Sequence, residues 1–252
     1  MTITNPSPEH IPQLRNLWKI AFGDTDAFLD DFFRTAYSSD RCRCILIDGR
    51  VVAALYWFRA SCGSQKFAYL YAVATDPAFR GQGLCRRLME DTRVLLASQG
   101  FHGLILVPQK ESLRQMYARM GYENCGSVSR FTAPGEEVPM VLRRLNAEEY
   151  AAARKGLLPP GSIIQEGENL ALLETYALFY QGQNFLAAIT LDKDKLICHE
   201  LLGDPDAAYG LVSALGCREG VFCTPGTDLP FAQYLPLTAD CVKPRYFGFA
   251  FD

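Results

Sequence analysis

Positive charge is not in surplus in this 252-residue chain: 25 lysines and arginines stand against 28 aspartates and glutamates, a net charge of −3. A nucleic-acid-binding surface ordinarily carries a basic excess, so that class of partner is not expected. No apolar run reaches the roughly 20 residues that a membrane-spanning helix requires. The first residues, Met1-Thr2-Ile3-Thr4-Asn5, lack a basic stretch followed by an apolar one, so no secretory leader is expected. Cysteine is present nine times. That is an odd number without framework spacing, in a chain large enough to need no staples, which predicts reduced thiols in the cytoplasm. Cys42-x-Cys44 has no matching Cys or His pair nearby, which argues against a zinc site. Cys198 and His199 would point to opposite faces of a strand, which argues against a catalytic dyad. What the chain does have is apolar substance, 49% of its residues, enough for one large core or two small ones.

The most specific stretch is Val73-Ala74-Thr75-Asp76-Pro77-Ala78-Phe79-Arg80-Gly81-Gln82-Gly83-Leu84-Cys85-Arg86. The aromatic and β-favouring run from Phe67 to Thr75 predicts a strand. Asp76-Pro77 breaks it. From Leu84 onward, Leu84, Leu88, Thr92, Leu95 and Leu96 recur at helical spacing. Two glycines at the mouth of a helix let backbone come close to a ligand, and the unpaired N–H groups of a first helical turn suit phosphate oxygens. A P-loop is excluded, because Leu84-Cys85 follows where Lys-Ser/Thr is needed. A dinucleotide fingerprint is excluded as well, because Arg86 stands where a third glycine belongs.

The string Arg80-Gly81-Gln82-Gly83-Leu84 resembles motif A of the GNAT superfamily of N-acetyltransferases, with Cys85 in place of the usual final Gly or Ala. Met116-Tyr117-Ala118-Arg119-Met120-Gly121-Tyr122 resembles motif B of that superfamily. Lys110 stands where an asparagine often lies, and Leu106-Val107-Pro108 is similar to the two-domain variant of the Eis type. The resemblance implies an α+β fold with a mixed sheet and acetyl-CoA as cofactor. Val73, Ala74 and Thr75 would lie along the pantetheine arm. Arg80, Gly81, Gln82, Gly83, Leu84, Cys85 and Arg86 would lie around the pyrophosphate. It also implies Tyr117 as general acid, with direct transfer of the acyl group to a small-molecule or peptide primary amine. A non-catalytic CoA-binding or interaction module is the alternative.

Further predicted elements are helices over 8–22 and 24–37, a hairpin of 42–47 and 51–58 around Asp48-Gly49, a strand at 103–107 and a helix at 111–120. A boundary is expected near Ala133-Pro134-Gly135, giving a GNAT-like domain over 1–135 and a smaller domain over 136–252. The later order, with a hairpin of 185–190 and 196–201, a helix over 204–215 and strands at 221–223 and 246–251, suggests a degenerate second copy. Asp204-Pro205-Asp206 would place carboxylates where phosphate would sit, so CoA is not expected there.

Acetyl transfer to an alkyl amine also needs the amine freed of its proton, at a cost of about 4–5 kcal/mol at neutral pH. Phe67-Ala68-Tyr69-Leu70-Tyr71 contains no carboxylate that could act as base. Eis-type enzymes bring the chain end into the site, which makes Asp252 and the terminal carboxylate the expected candidate.

Overall fold

A computed structural model of the protein describes residues 1–250. Strand formation follows the aromatic and β-branched runs, and helices follow the apolar 3.6-residue period. The first half contains β1 (Thr2–Thr4), α1 (Ile11–Phe22), α2 (Asp26–Thr35), β2 (Cys42–Ile47), β3 (Arg50–Cys62), β4 (Gln65–Thr75), α3 (Leu84–Ser98), β5 (Gly103–Leu106), α4 (Glu111–Ala118) and β6 (Glu123–Pro134). The second contains β7 (Arg143–Leu145), α5 (Ala147–Leu157), β8 (Ile164–Gln165), α6 (Glu168–Glu174), β9 (Leu178–Gln181), β10 (Phe185–Asp192), β11 (Lys195–Gly203), α7 (Ala207–Ala214), β12 (Glu219–Pro225) and β13 (Leu229–Pro236). The helix predicted over 24–37 is shorter at its start, because Thr25 caps it by accepting from the Phe28 amide, which leaves Asp24 in the connection. The long strand β6 and the strand β13 were not foreseen from the sequence.

Among the described residues, thirteen strands form one sheet. Its order is β1-β2-β3-β4-β5-β13-β6-β12-β11-β10-β9-β7, with β8 paired to β3. The β13–β6 pair lies at the centre, and the order runs outward from it as β5, β4, β3, β2, β1 on one side and β12, β11, β10, β9, β7 on the other. Parallel pairing occurs at corresponding places, β4 with β5 and β11 with β12. The second half repeats the order of the first, with the short β8 added between its first two helices and nothing in the place of α4. Only three residues separate β12 from β13. Each half passes its last strand to the other: β13 lies on β5, and β6 lies on β12. The sheet is therefore continuous across residue 135.

One face of the sheet is covered by α1, α2, α5, α6 and the segment around Tyr246–Phe249, packed on Tyr56, Phe58, Tyr69 and Tyr71. On the other face α3 and α4 cover the first half, and α7 covers the second. The 246–251 strand is corrected over its described part. Tyr246 makes an isolated bridge to Ser162, and residues 247–250 join no strand.

Burial also makes stability depend on pH. It pushes the thiols of Cys44 and Cys85 up to about 11 and that of Cys125 to about 12. Unfolded thiols ionise near 8.5. The native state thus holds protons that the unfolded chain releases, and stability falls as pH rises between those values, by on the order of 1.4 kcal/mol per pH unit for each such thiol. A melting temperature that declines from pH 9 to pH 11 is expected in a thermal scan under reducing conditions; a flat profile would contradict it.

Candidate active site

The site begins where two parallel strands part. β4 and β5 pair over Phe67↔Gly103, Ala68↔Leu104 and Tyr69↔Ile105, and then their pairing ends. On its other edge β4 bulges against β3: Tyr71 pairs with Tyr56 and Ala74 with Ala54, so Ala72 and Val73 have no register partner there. Ala72 lies at φ +48°, an uncommon conformation for a residue with a Cβ. The Val73 backbone thus faces a gap in the ladder on both sides. Backbone groups freed in this way can bind an extended ligand arm or a carbonyl oxygen.

The turn after β4 is fixed by its own polar contacts. The Asp76 carboxylate accepts from the Ala78 amide at 2.9 Å and from the Arg50 guanidinium at 2.5 Å. Arg80 Nε donates to the Thr75 carbonyl at 3.1 Å. Gly81 (φ +78°) and Gly83 (φ +74°) both take the left-handed conformation that favours glycine. Gly83 caps α3, and its carbonyl accepts from the Arg87 amide at 3.1 Å. The first-turn amides of Leu84, Cys85 and Arg86 precede any intrahelical acceptor and are available to an anion.

Tyr117 comes from α4 on the other side of the gap. Arg114 holds that helix by donating to Asn124 Oδ1 at 2.9 Å and to the Pro230 carbonyl at 3.0 Å. Tyr117 is buried, its ring 5.8 Å from that of Tyr122. Burial raises its phenol above the ordinary value, with Cys85 adding to the shift.

Two adjoining cavities meet here. One, of about 550 Å³, is lined by Val73, Ala74, Thr75, Arg80, Gly81, Gly83, Leu84, Cys85, Arg86 and Tyr117, among others. The other, of about 380 Å³, is lined by Trp18, Phe22, Asp24, Tyr69, Tyr71, Val73 and Tyr117, among others. They share Val73 and Tyr117. Of the cofactor residues expected from the sequence, Gln82 alone is missing from the first lining; its side chain is exposed. Asp252 lies outside the described residues. Among the described residues no group of three or more metal-ligating side chains comes together.

Residues 2–125 match the family model described as an acetyltransferase (GNAT) domain. This part of the chain is a GNAT acetyltransferase domain. Solved structures with the same fold extend the likeness over both halves. A GCN5-related N-acetyltransferase from Kribbella flavida is 18% identical, with a TM-score of 0.71 over 92% of this chain and 70% of that one. Eis1 from Mycobacterium abscessus is 13% identical, with a TM-score of 0.69 over 94% of this chain and 74% of that one. A tandem GNAT protein from the clavulanic acid biosynthesis pathway is 12% identical, with a TM-score of 0.59 over 95% of this chain and 99% of that one. No curated protein sequence matches the chain significantly. The mixed sheet expected from the GNAT resemblance is what the chain forms, with a second, smaller GNAT-like half. No helix among the described residues is long and apolar enough to cross a membrane.

One lining residue carries a charge that sequence reasoning passed over. Asp24 was absorbed into a predicted helix. In the GNAT domain it follows Gly23, the left-handed residue that ends α1, and it accepts a hydrogen bond from Trp18 Nε1 at 2.7 Å. A glycine stop followed by Asp-Thr-Asp was the available signal for a helix start, and Thr25 supplies the N-cap, which leaves Asp24 outside the helix.

Proposed function

We propose that the protein is an acetyl-CoA-dependent N-acyltransferase that acts on a primary amine. The observation that carries this reading is the meeting of two cavities at Val73 and Tyr117, one bounded by the glycine-rich helix mouth and the other by aromatic residues. The CoA pyrophosphate would lie on the amides of Gly83, Leu84, Cys85 and Arg86, with the pantetheine arm along Val73, Ala74 and Thr75. The thioester would then sit in the gap between β4 and β5, its carbonyl oxygen facing the Val73 N–H. The amine nitrogen, after losing a proton to solvent, forms a bond to the carbonyl carbon; the C–S bond breaks, and the now cationic nitrogen sheds a second proton to solvent to leave the neutral amide. Tyr117 donates its proton toward the departing sulfur and is reprotonated from solvent.

The second half offers no comparable site. Its strand β11 is followed by Asp204-Pro205-Asp206, and the chain has no counterpart of α4 between β12 and β13. One acyl-CoA per chain is therefore the proposed stoichiometry.

CoA at a hundred times its dissociation constant should stabilise the protein by about 2.7 kcal/mol. Gly83→Asp would put a carboxylate at the phosphate position and strain a left-handed residue, so the CoA-induced rise in melting temperature should vanish while the unliganded protein still unfolds cooperatively. A full CoA shift in that variant would place the cofactor elsewhere.

A further inference from the structure

We propose that the protein carries a second ligand site, apart from the reacting centre, that takes a phosphate monoester on an apolar body; this stands independently of the transferase reading above. A cavity of about 1130 Å³ opens where the two halves meet, between the turn of the β3–β4 hairpin, the start of β6, the turn joining β12 to β13 and the segment 242–245. It shares no lining residue with the two cavities that meet at Val73 and Tyr117. Among the described residues its charged lining consists of Lys243 and Arg245, with no aspartate or glutamate. The wall that carries these cations is tied at both ends. Gln65 accepts from the Val242 amide and donates to the Asp240 carbonyl, each at 2.8 Å. The Arg245 amide donates to the Gly161 carbonyl at 2.9 Å. The stem of Arg245 lies across Gly161, where a Cβ would come within 3.3 Å of it. Among the described residues Arg245 has no ion-pair partner. Lys243 makes one long contact, 3.7 Å from a Glu123 oxygen, with both side chains more than half exposed. A surface pair of that kind contributes at most about 1 kcal/mol and leaves the ammonium available.

Two cations in a lining without carboxylates complement a dianion, whereas a single carboxylate would leave one of them unanswered. A phosphate monoester carries about −1.5 to −2 charge at pH 7 and three strong acceptor oxygens. The guanidinium fork suits two of those oxygens. Ser127 and Thr227 bring hydroxyl donors to the same lining. The remaining wall is apolar, with Cys62, Cys125, Pro160, Pro230 and Val242, and the space exceeds what a phosphate group alone would fill. Burial pushes the Cys125 thiol up to about 12, so it stays protonated and adds no negative charge.

The test is calorimetric titration of phenyl phosphate, benzenesulfonate and inorganic phosphate into the 252-residue chain and its variants. Arg245→Gln should raise the Kd for phenyl phosphate about tenfold to a hundredfold, the scale of a hydrogen bond to a charged group. Arg245→Lys, which restores the charge without the fork, should fall between that variant and the parent. The Arg245 side chain is exposed, so these changes act on binding rather than on folding. Gly83→Asp, which alters the glycine-rich helix mouth, should leave the Kd within about threefold of the parent, below the range of coupled sites. Benzenesulfonate has the same shape with one charge, and inorganic phosphate has the charge without the body; both should bind more weakly than phenyl phosphate. No binding of phenyl phosphate by the parent at millimolar concentration, or an unchanged Kd in Arg245→Gln, would overturn the site. Loss of binding in Gly83→Asp would assign the ligand to the helix mouth and overturn it as well. Benzenesulfonate binding as tightly as phenyl phosphate would overturn the selection for a dianion, and inorganic phosphate binding as tightly would overturn the need for an apolar body.

Discussion

Tyr117→Phe is expected to lower kcat for acetyl transfer by about 10²–10³-fold while leaving CoA affinity within a few-fold. General acid catalysis by a positioned side chain contributes on that scale. The phenyl ring of the variant keeps the contact with Tyr122, so the loss falls on the hydroxyl alone. An ordinary phenol and an ordinary thiol differ by about 1.5 pKa units, so complete transfer to the CoA thiolate is uphill by about 2 kcal/mol even before burial. Burial raises Tyr117 further. The proton is therefore given up only as negative charge builds on sulfur, and the benefit belongs to the transition state. The deficit should appear in kcat and in kcat/KM equally. Because the raised phenol keeps its proton across the working range, the parent enzyme should show no descending limb of activity below about pH 10. Steady-state rates from pH 6.5 to 9.5 check both statements. A Tyr117→Phe variant with parental kcat would remove Tyr117 from the reaction.

The largest loss of stability is expected from the buried ion pair of the second half. Arg154 and Glu200 are almost wholly inaccessible, with relative exposures of 1% and 0%. Arg154 donates to both carboxylate oxygens, at 2.7 and 2.8 Å. Tyr150 and Tyr246 complete the carboxylate's shell with hydroxyl donations at 2.8 and 3.0 Å. Arg154→Met leaves Glu200 uncompensated and should cost about 3–5 kcal/mol. For a chain of this size that lowers the melting temperature by roughly 10 °C. A matched replacement of both partners, Arg154→Met with Glu200→Leu, should recover much of the loss, since a packed apolar pair avoids the desolvation penalty. A single variant that melts like the parent would contradict the assignment.

The same pair reaches the proposed acceptor cavity through the segment after β13. Arg154 donates to the Phe247 carbonyl at 3.3 Å, and Gln165 donates to the Phe247 and Phe249 carbonyls, each at 3.2 Å. Phe247 packs edge-on against Tyr69, a cavity residue, at 4.7 Å. Gly248 lies at φ +100°, and a Cβ there would collide with Arg154 and Glu200. The second half thus acts as a brace: it has no counterpart of the helix that carries Tyr117, and its charged core holds Phe247 against Tyr69, a wall of the proposed acceptor cavity.

The Gly-rich helix mouth, the Asp48-Gly49 hairpin and the helix that carries Tyr117 were legible in the sequence because their signals are local: turn residues, periodicity and a short motif. The strands β6 and β13 were not, because each completes the other half's sheet by pairing with a strand far away in the chain. The Phe247-Gly248-Phe249 alternation was legible as burial, and both phenylalanines are buried. It was not legible as conformation. The carbonyls of this segment are satisfied by the side chains of Arg154 and Gln165 rather than by a neighbouring strand, and a period of two cannot distinguish these cases. The second cavity stayed hidden because Trp18 of α1 and Tyr71 of β4 meet only through the packing of that helix on the sheet.

The most direct test of the central claim is thiol release from acetyl-CoA by the 252-residue chain on addition of 2-phenylethylamine, with the product identified by mass. The account predicts amine-dependent release of CoA, stoichiometric with an N-acetylated amine. Stabilisation by CoA with no amine-dependent thiol release would mark a binding module instead, and the absence of any CoA effect on stability would contradict the site itself.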